Sequence, residues 1–212
     1  MDTHIIFDLD GTLIDSKPEM VDTYRQVFLK IPTPSPVDFD SINFGATLPA
    51  ILEKVYENNS LLMTEARKEF IEIYDQSSYQ NTLLYPSVKD VLNFLYKHSF
   101  KLHIATNKRL KPTLNILSKK EISSYFTNIK GSDMADGKLV SKQEMVKQIC
   151  AENNIITGYM IGDSAQDIEA GKASNLATIA VTYGYEKKEH LVKKNPTFVL
   201  DNLSELYNIV KE

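Results

Sequence analysis

Residues 5–13 read Ile5-Ile6-Phe7-Asp8-Leu9-Asp10-Gly11-Thr12-Leu13. An apolar run ends on two carboxylates spaced two apart, with a glycine directly behind them. The run lacks polar alternation, which fits a strand over residues 3–8 that is buried on both faces of a parallel sheet. Side chains alternate along a strand, so Asp8 and Asp10 are placed to point the same way. Like charges that close raise one another's pKa unless a cation or a proton relieves them. The pair alone leaves two readings open: a solvated Asp-Gly turn, or an acidic site that holds a cation.

Further strands are predicted at residues 101–106, 128–132, 158–162, 177–182 and 197–200. Helices are predicted to start at Ser87 and Ser141, where Asp90 and Glu144 stand at capping-box spacing. A short helix is expected over residues 112–118, and a last one ending at Lys211. Strands alternating with helices imply a mainly parallel sheet with right-handed crossovers. Ligands of such sheets sit at the carboxyl ends of the strands. Asp8 and Asp10 follow the first strand, Thr106 and Asn107 the second, and Asp163 the fourth.

Residues 16–80 break the rhythm. Ser16 stands where it would cap a helix, with Pro18 in the first turn and Glu19 at box spacing. Pro32, Pro34 and Pro36 then enforce an extended connection. Two more helical patterns follow, over residues 47–56 and 64–74, with no strand between. The expected architecture is α/β. A Rossmann-like, mainly parallel core (residues 1–15 and 81–212) carries an inserted α-helical cap (residues 16–80).

Of the 212 residues, 42% are hydrophobic and 25% charged, enough to bury a core and too many apolar residues for a disordered chain. The net charge of −4 argues against a nucleic-acid partner, which calls for a concentrated basic footprint. The lysine-dense residues 186–194 read as a solvated helix face. A single cysteine, Cys150, excludes an intrachain disulfide and reads as a small core residue. No apolar run reaches membrane-spanning length and no signal pattern opens the chain, so a soluble protein of a reducing cytoplasm, without a membrane partner, is expected. Carboxylates gathered at one rim without histidine or cysteine form an oxygen-only donor set, which suits Mg²⁺.

Taken together, Asp8-Leu9-Asp10-Gly11-Thr12, Thr106-Asn107, Lys142, and Gly162-Asp163-Ser164 with Asp167 resemble the four motifs of the haloacid dehalogenase superfamily. The style is that of its phosphoglycolate phosphatase-like branch, and the resemblance spans essentially the whole chain. It implies a Mg²⁺-dependent phosphomonoesterase acting on a small phosphorylated metabolite, phosphoglycolate-like first, through an aspartyl-phosphate. Asp8 would be the nucleophile and Asp10 the acid and base. Thr106 and the Asn107 amide would bind the phosphoryl oxygens. Lys142 would neutralise both Asp8 and the transferring group, although Lys138 competes for that role. Asp8, Asp163 and Asp10, the last through its backbone carbonyl, would hold the metal. Asp167 would ligate directly, stand behind the ligands, or hold Lys142.

The chain departs from the frequent Lys-Pro of the third motif, carrying Lys142-Gln143. Lys108 also matches relatives, but pairing with solvent explains it. Thr12 and Asp15 match too, and local turn chemistry suffices for them. Phe44-Gly45-Ala46 is either a substrate-reading cap loop or a structural turn. Leu48, Ile51, Leu52 and Phe70 read as core of the cap. A sugar phosphomutase, a pyrophosphatase and a nucleotidase remain alternatives, as does a non-catalytic phosphate-binding regulatory protein. The oligomeric state stays open.

Overall fold

The structure, a computed structural model, describes residues 3–133 and 139–210. The predicted end of the last helix at Lys211 lies outside them. Strand β1 (His4–Phe7) occupies the middle of the main sheet, which explains its continuous apolar run. Two short strands follow, β2 (Ile14–Asp15) and β3 (Leu83–Leu84). Then come β4 (Lys101–Ala105), β5 (Phe126–Lys130), β6 (Gly158–Gly162), β7 (Ala177–Val181) and β8 (Phe198–Leu200). The main sheet has six strands in the order β5-β4-β1-β6-β7-β8, and every neighbouring pair is parallel. The chain therefore has the expected α/β, mainly parallel fold.

Helices cover both faces. Between β2 and β3 lie α1 (Lys17–Lys30), α2 (Leu48–Val55) and α3 (Ser60–Gln76). Next are α4 (Val88–Lys97), α5 (Leu110–Lys119), α6 (Lys142–Glu152), α7 (Ala165–Ala173), α8 (Lys188–Lys193) and α9 (Leu206–Ile209). The period-two alternation of β1 sorts the core. Ile5 and Phe7 join Val91, Leu92 and Leu95 of α4 on one side, while Ile6 joins Met145, Val146 and Ile149 of α6 on the other. Each such side chain contributes about 1.5–3 kcal/mol by leaving water. Among the described residues no helix is long and apolar enough to cross a membrane.

Three local expectations need correction. Ser141 caps α6 as predicted, accepting from the Glu144 N–H at 3.2 Å. Ser87 does not cap α4: it sits at φ 66, in the left-handed region, whereas a capping serine is extended. Ser16 precedes α1, but its hydroxyl bonds elsewhere. The antiparallel pair β2–β3, Ile14 opposite Leu84, was not anticipated as a pair of strands. A strand of two residues has too little length for any period to appear. The helical segment leaves through β2 and returns through β3. Its interior is aromatic: Tyr24 packs on Phe70 at 4.6 Å between ring centroids, and Phe70 on Tyr74 at 5.2 Å.

Candidate active site

Register brings the strand ends together. Phe7 is level with Ile104 of β4 on one side and Ile161 of β6 on the other. Asp8, Thr106 and Asp163 therefore emerge within two residues of that level. Past Asp8 the chain doubles back, and the N–H groups of Thr12, Leu13 and Ile14 converge on the Leu9 carbonyl at 3.3, 2.9 and 3.0 Å. Gly11 is the pivot. Its φ is +80, and a Cβ there would stand 2.1 Å from Asp163 Oδ2, so backbone and space both require glycine. Asp8 and Asp10 line one cleft, as strand alternation allows, but they engage different cations, Lys142 and Lys108.

Asp8 belongs to an acidic cluster. Lys142, the first residue of α6, lies with Nζ 2.6 Å from Asp8 Oδ1 and 2.9 Å from Asp167 Oδ1, and donates to the Ala105 carbonyl at 3.0 Å. The competing Lys138 lies outside the described residues. Asp163 accepts from the Thr12 hydroxyl at 3.2 Å and the Tyr185 N–H at 2.7 Å. Asp167 Oδ2 accepts from the Ser164 N–H and hydroxyl at 3.0 and 2.6 Å, which fixes it at the start of α7. Asp8, Asp163 and Asp167 each offer an oxygen within 4.8 Å of the others, and all three are buried.

Crowding shows in the acidities. Burial pushes the Asp8 carboxyl well up; Lys142 opposes this, and the charges of Asp167 and Asp163 add to it. Asp163 is pushed up to about 7, by burial and then by the Asp167 charge, against the Tyr185 N–H, Lys142 and Thr12. For Lys142 burial acts downward, but Asp167 and Asp8 outweigh it and hold the ammonium above the ordinary lysine value. Three carboxylates thus share one ammonium in a dry place. The shortfall of positive charge, with oxygen donors alone, fits a hard divalent cation.

Asp10 sits beside this cluster with its own partners. Its Oδ1 accepts from the Ser16 hydroxyl and lies 3.2 Å from Lys108 Nζ, with side chains 8% and 6% exposed. Lys108 therefore does not pair with solvent, as its place after a strand end allowed. It also donates to Tyr74 Oη of α3 at 3.0 Å. Burial would lower the pKa of this ammonium; Asp10 and Tyr74 outweigh that and hold it above the ordinary range. Thr12 and Asp15 likewise do more than local turn chemistry. Thr12 reaches Asp163, and Asp15 accepts from Tyr185 Oη at 3.3 Å. Tyr185, which sequence reasoning did not single out, also accepts from the Ser16 and Lys17 N–H groups at 3.0 and 3.1 Å. No local pattern marks it, because the partners of its hydroxyl lie some 170 residues away in the chain.

Thr106 is buried beside the cleft, its hydroxyl accepting from the Lys108 N–H at 3.1 Å. The Asn107 side chain donates to the Gly45 carbonyl and to Gln166 Oε1, both at 2.9 Å. The cleft encloses about 690 Å³, open mouth included, with Asp8, Asp10, Thr106 and Lys108 on one wall and Phe44, Leu48, Ile51 and Phe70 of the helical segment on the other. Phe44-Gly45-Ala46 faces this cleft, and Leu48, Ile51 and Phe70 serve both the cleft and the core.

Comparison with known proteins adds to this geometry. The model of the family described as haloacid dehalogenase-like hydrolase matches residues 5–181. The phosphoglycolate phosphatase of Vibrio parahaemolyticus is 32% identical over 97% of this chain and 95% of its own length. That of Vibrio cholerae is 30% identical over 97% and 96%. Among solved structures, a predicted phosphatase from Clostridium acetobutylicum superposes with a TM-score of 0.88 at 26% identity, covering 100% of this chain and 99% of that one.

Proposed function

The chain belongs to the haloacid dehalogenase-like hydrolase family, and on that premise we propose that it is a Mg²⁺-dependent phosphomonoesterase acting on a small phosphorylated metabolite, phosphoglycolate first among the candidates. One observation carries this reading: Asp8 lines the cleft, held by Lys142 and crowded by Asp163 and Asp167.

The Asp8 carboxylate attacks phosphorus, and the ester P–O bond breaks as an aspartyl-phosphate forms. Asp10 gives a proton to the departing oxygen, then takes one from the water that releases phosphate. The Thr106 hydroxyl and the Asn107 backbone N–H hold phosphoryl oxygens, and Lys142 offsets the charge on them and on Asp8. Asp167 keeps Lys142 in place. Asp8, Asp163 and the Asp10 carbonyl would hold a Mg²⁺ ion, which would supply the charge neutralisation an anionic ester needs to approach an anionic nucleophile. The α1–α3 segment acts as a cap that excludes water and meets the leaving group. A cytoplasmic setting fits the free, half-buried thiol of Cys150.

The direct test is hydrolysis of p-nitrophenyl phosphate and of phosphoglycolate by the purified protein. Release of phosphate is expected with Mg²⁺, a fall of about 100-fold or more in EDTA, and recovery on adding Mg²⁺ back. Turnover undiminished in chelator would contradict the metal site. Conversion of β-glucose 1-phosphate to its isomer without phosphate release would point to a mutase instead.

Metal and pH are also linked. The Asp163 pKa, about 7 in the metal-free fold against 3.8 for the free side chain, means that the folded chain binds more protons than the unfolded chain between those values. Stability from this group is present at the acid end of that window and is lost as pH rises through it. A bound cation removes the penalty on the ionised form. Calorimetry should therefore show Mg²⁺ raising Tm more at about pH 8 than at about pH 5.5. Equal increments at both pH values would place the ion away from Asp163.

A further inference from the structure

Three consecutive residues behind Thr106 each grip a different part of the helical segment. Asn107 donates to the Gly45 carbonyl at 2.9 Å, and Lys108 to Tyr74 Oη at 3.0 Å. Arg109 pairs with both carboxylate oxygens of Asp75. Tyr74 and Asp75 are neighbours near the end of α3. Lys108 differs from the other two, because the same ammonium lies 3.2 Å from Asp10 Oδ1.

A lysine side chain is a flexible stem with three donors at its tip. In a desolvated pocket those donors must be met. Here Asp10 takes one, Tyr74 another and Met20 Sδ lies 3.9 Å away for the third, while Nζ stands 4.9 Å from the centroid of the Tyr74 ring. The position of the ammonium therefore depends on α3, and the orientation of the Asp10 carboxylate depends on the ammonium. Arg109 and Asn107 hold the flanks of the same contact.

We propose that Lys108 is a positioning residue whose ammonium, anchored on Tyr74 of α3, orients the Asp10 carboxyl for proton transfer to the leaving group, so that acid catalysis is available when the helical segment is seated on the core. This rests on Asp10 being the acid. Lys108 itself neither gives nor takes a proton; the proton moves from the Asp10 carboxyl to the ester oxygen as the P–O bond breaks.

The test uses uncharged leaving groups of increasing basicity: p-nitrophenyl, phenyl and ethyl phosphate, with Mg²⁺ saturating. A good leaving group departs unaided, whereas a poor one needs the proton. Lys108→Met is expected to lower kcat/KM for ethyl phosphate by about tenfold to a hundredfold, and for p-nitrophenyl phosphate by less than about threefold. Tyr74→Phe keeps the ring and is expected to steepen the leaving-group dependence in the same direction, by less. Lys108→Arg should recover part of the loss.

A fall in Lys108→Met that is uniform across the three esters would overturn the proposal, since structural damage or a lost substrate contact acts on all alike. Where Lys108→Met fails to fold, Tyr74→Phe decides: an unchanged leaving-group dependence overturns the coupling to α3. Asp10→Asn separates the two levels of inference. It should show the steepest dependence of all. A flat response there would remove Asp10 as the acid, and Lys108's role with it. A steep response there beside a flat one in Lys108→Met would remove Lys108 alone.

Discussion

Asp8→Asn is expected to abolish turnover, lowering kcat by about 10⁴-fold or more, while leaving the fold intact and the metal-free protein at least as stable as the parent. The two halves of that expectation have separate causes. An amide of the same shape cannot attack phosphorus, so no aspartyl-phosphate forms. The stability half comes from the crowded cluster: burial and the charges of Asp167 and Asp163 penalise the ionised Asp8 in the metal-free fold. Removing that charge relieves the penalty. Lys142 keeps Asp167 and the Ala105 carbonyl as partners. Rapid-quench labelling and calorimetry read both halves. An Asp8→Asn protein that turns over, or that traps phosphate on the chain, would remove Asp8 as the nucleophile.

Lys142→Met should act in the opposite sense on stability. The Lys142 side chain is 2% exposed and is the cation that Asp8 and Asp167 share. Breaking a buried pair leaves charge uncompensated, which costs about 3–5 kcal/mol. The variant is expected to melt well below the parent without metal and to recover part of the difference in Mg²⁺, because a divalent cation meets the same carboxylates. Loss of the charge facing the phosphoryl group should lower kcat by about 10²- to 10³-fold at saturating Mg²⁺. Lys142→Arg is not expected to rescue it, since a planar fork does not fit where one compact tip meets three oxygens. A Lys142→Met protein with parental Tm and turnover would place the lysine outside the chemistry.

The strand ends were legible because their causes are local. An apolar run without alternation marks β1 as central, and residues 158–162 read as a strand at the bounds that β6 has. Once the strands are parallel, their carboxyl ends share a rim, and Asp8, Thr106 and Asp163 follow. Side-chain partners were less legible. The Ser16 hydroxyl was expected on its own helix and instead meets Asp10. Lys108 reads as a solvent-facing lysine until α3 is folded over it. Asp10 pairs with Lys108 from beyond β4, far along the chain, and no local pattern announces that partner.

The amino-acid order alone determined the layered α/β arrangement and the family to which the chain belongs. Hydrophobic period, proline and glycine placement and motif spacing act over a few residues and survive in any folded context. Only the tertiary structure decided which further polar groups share the pocket: Lys108 with Asp10 and Tyr74, the Ser16 hydroxyl with Asp10, and the Tyr185 amide with Asp163. The lysine and amide pairings join residues far apart in the chain. Their existence depends on how the α1–α3 segment and the loop after β7 pack against the sheet, and on the removal of water that makes each pairing matter.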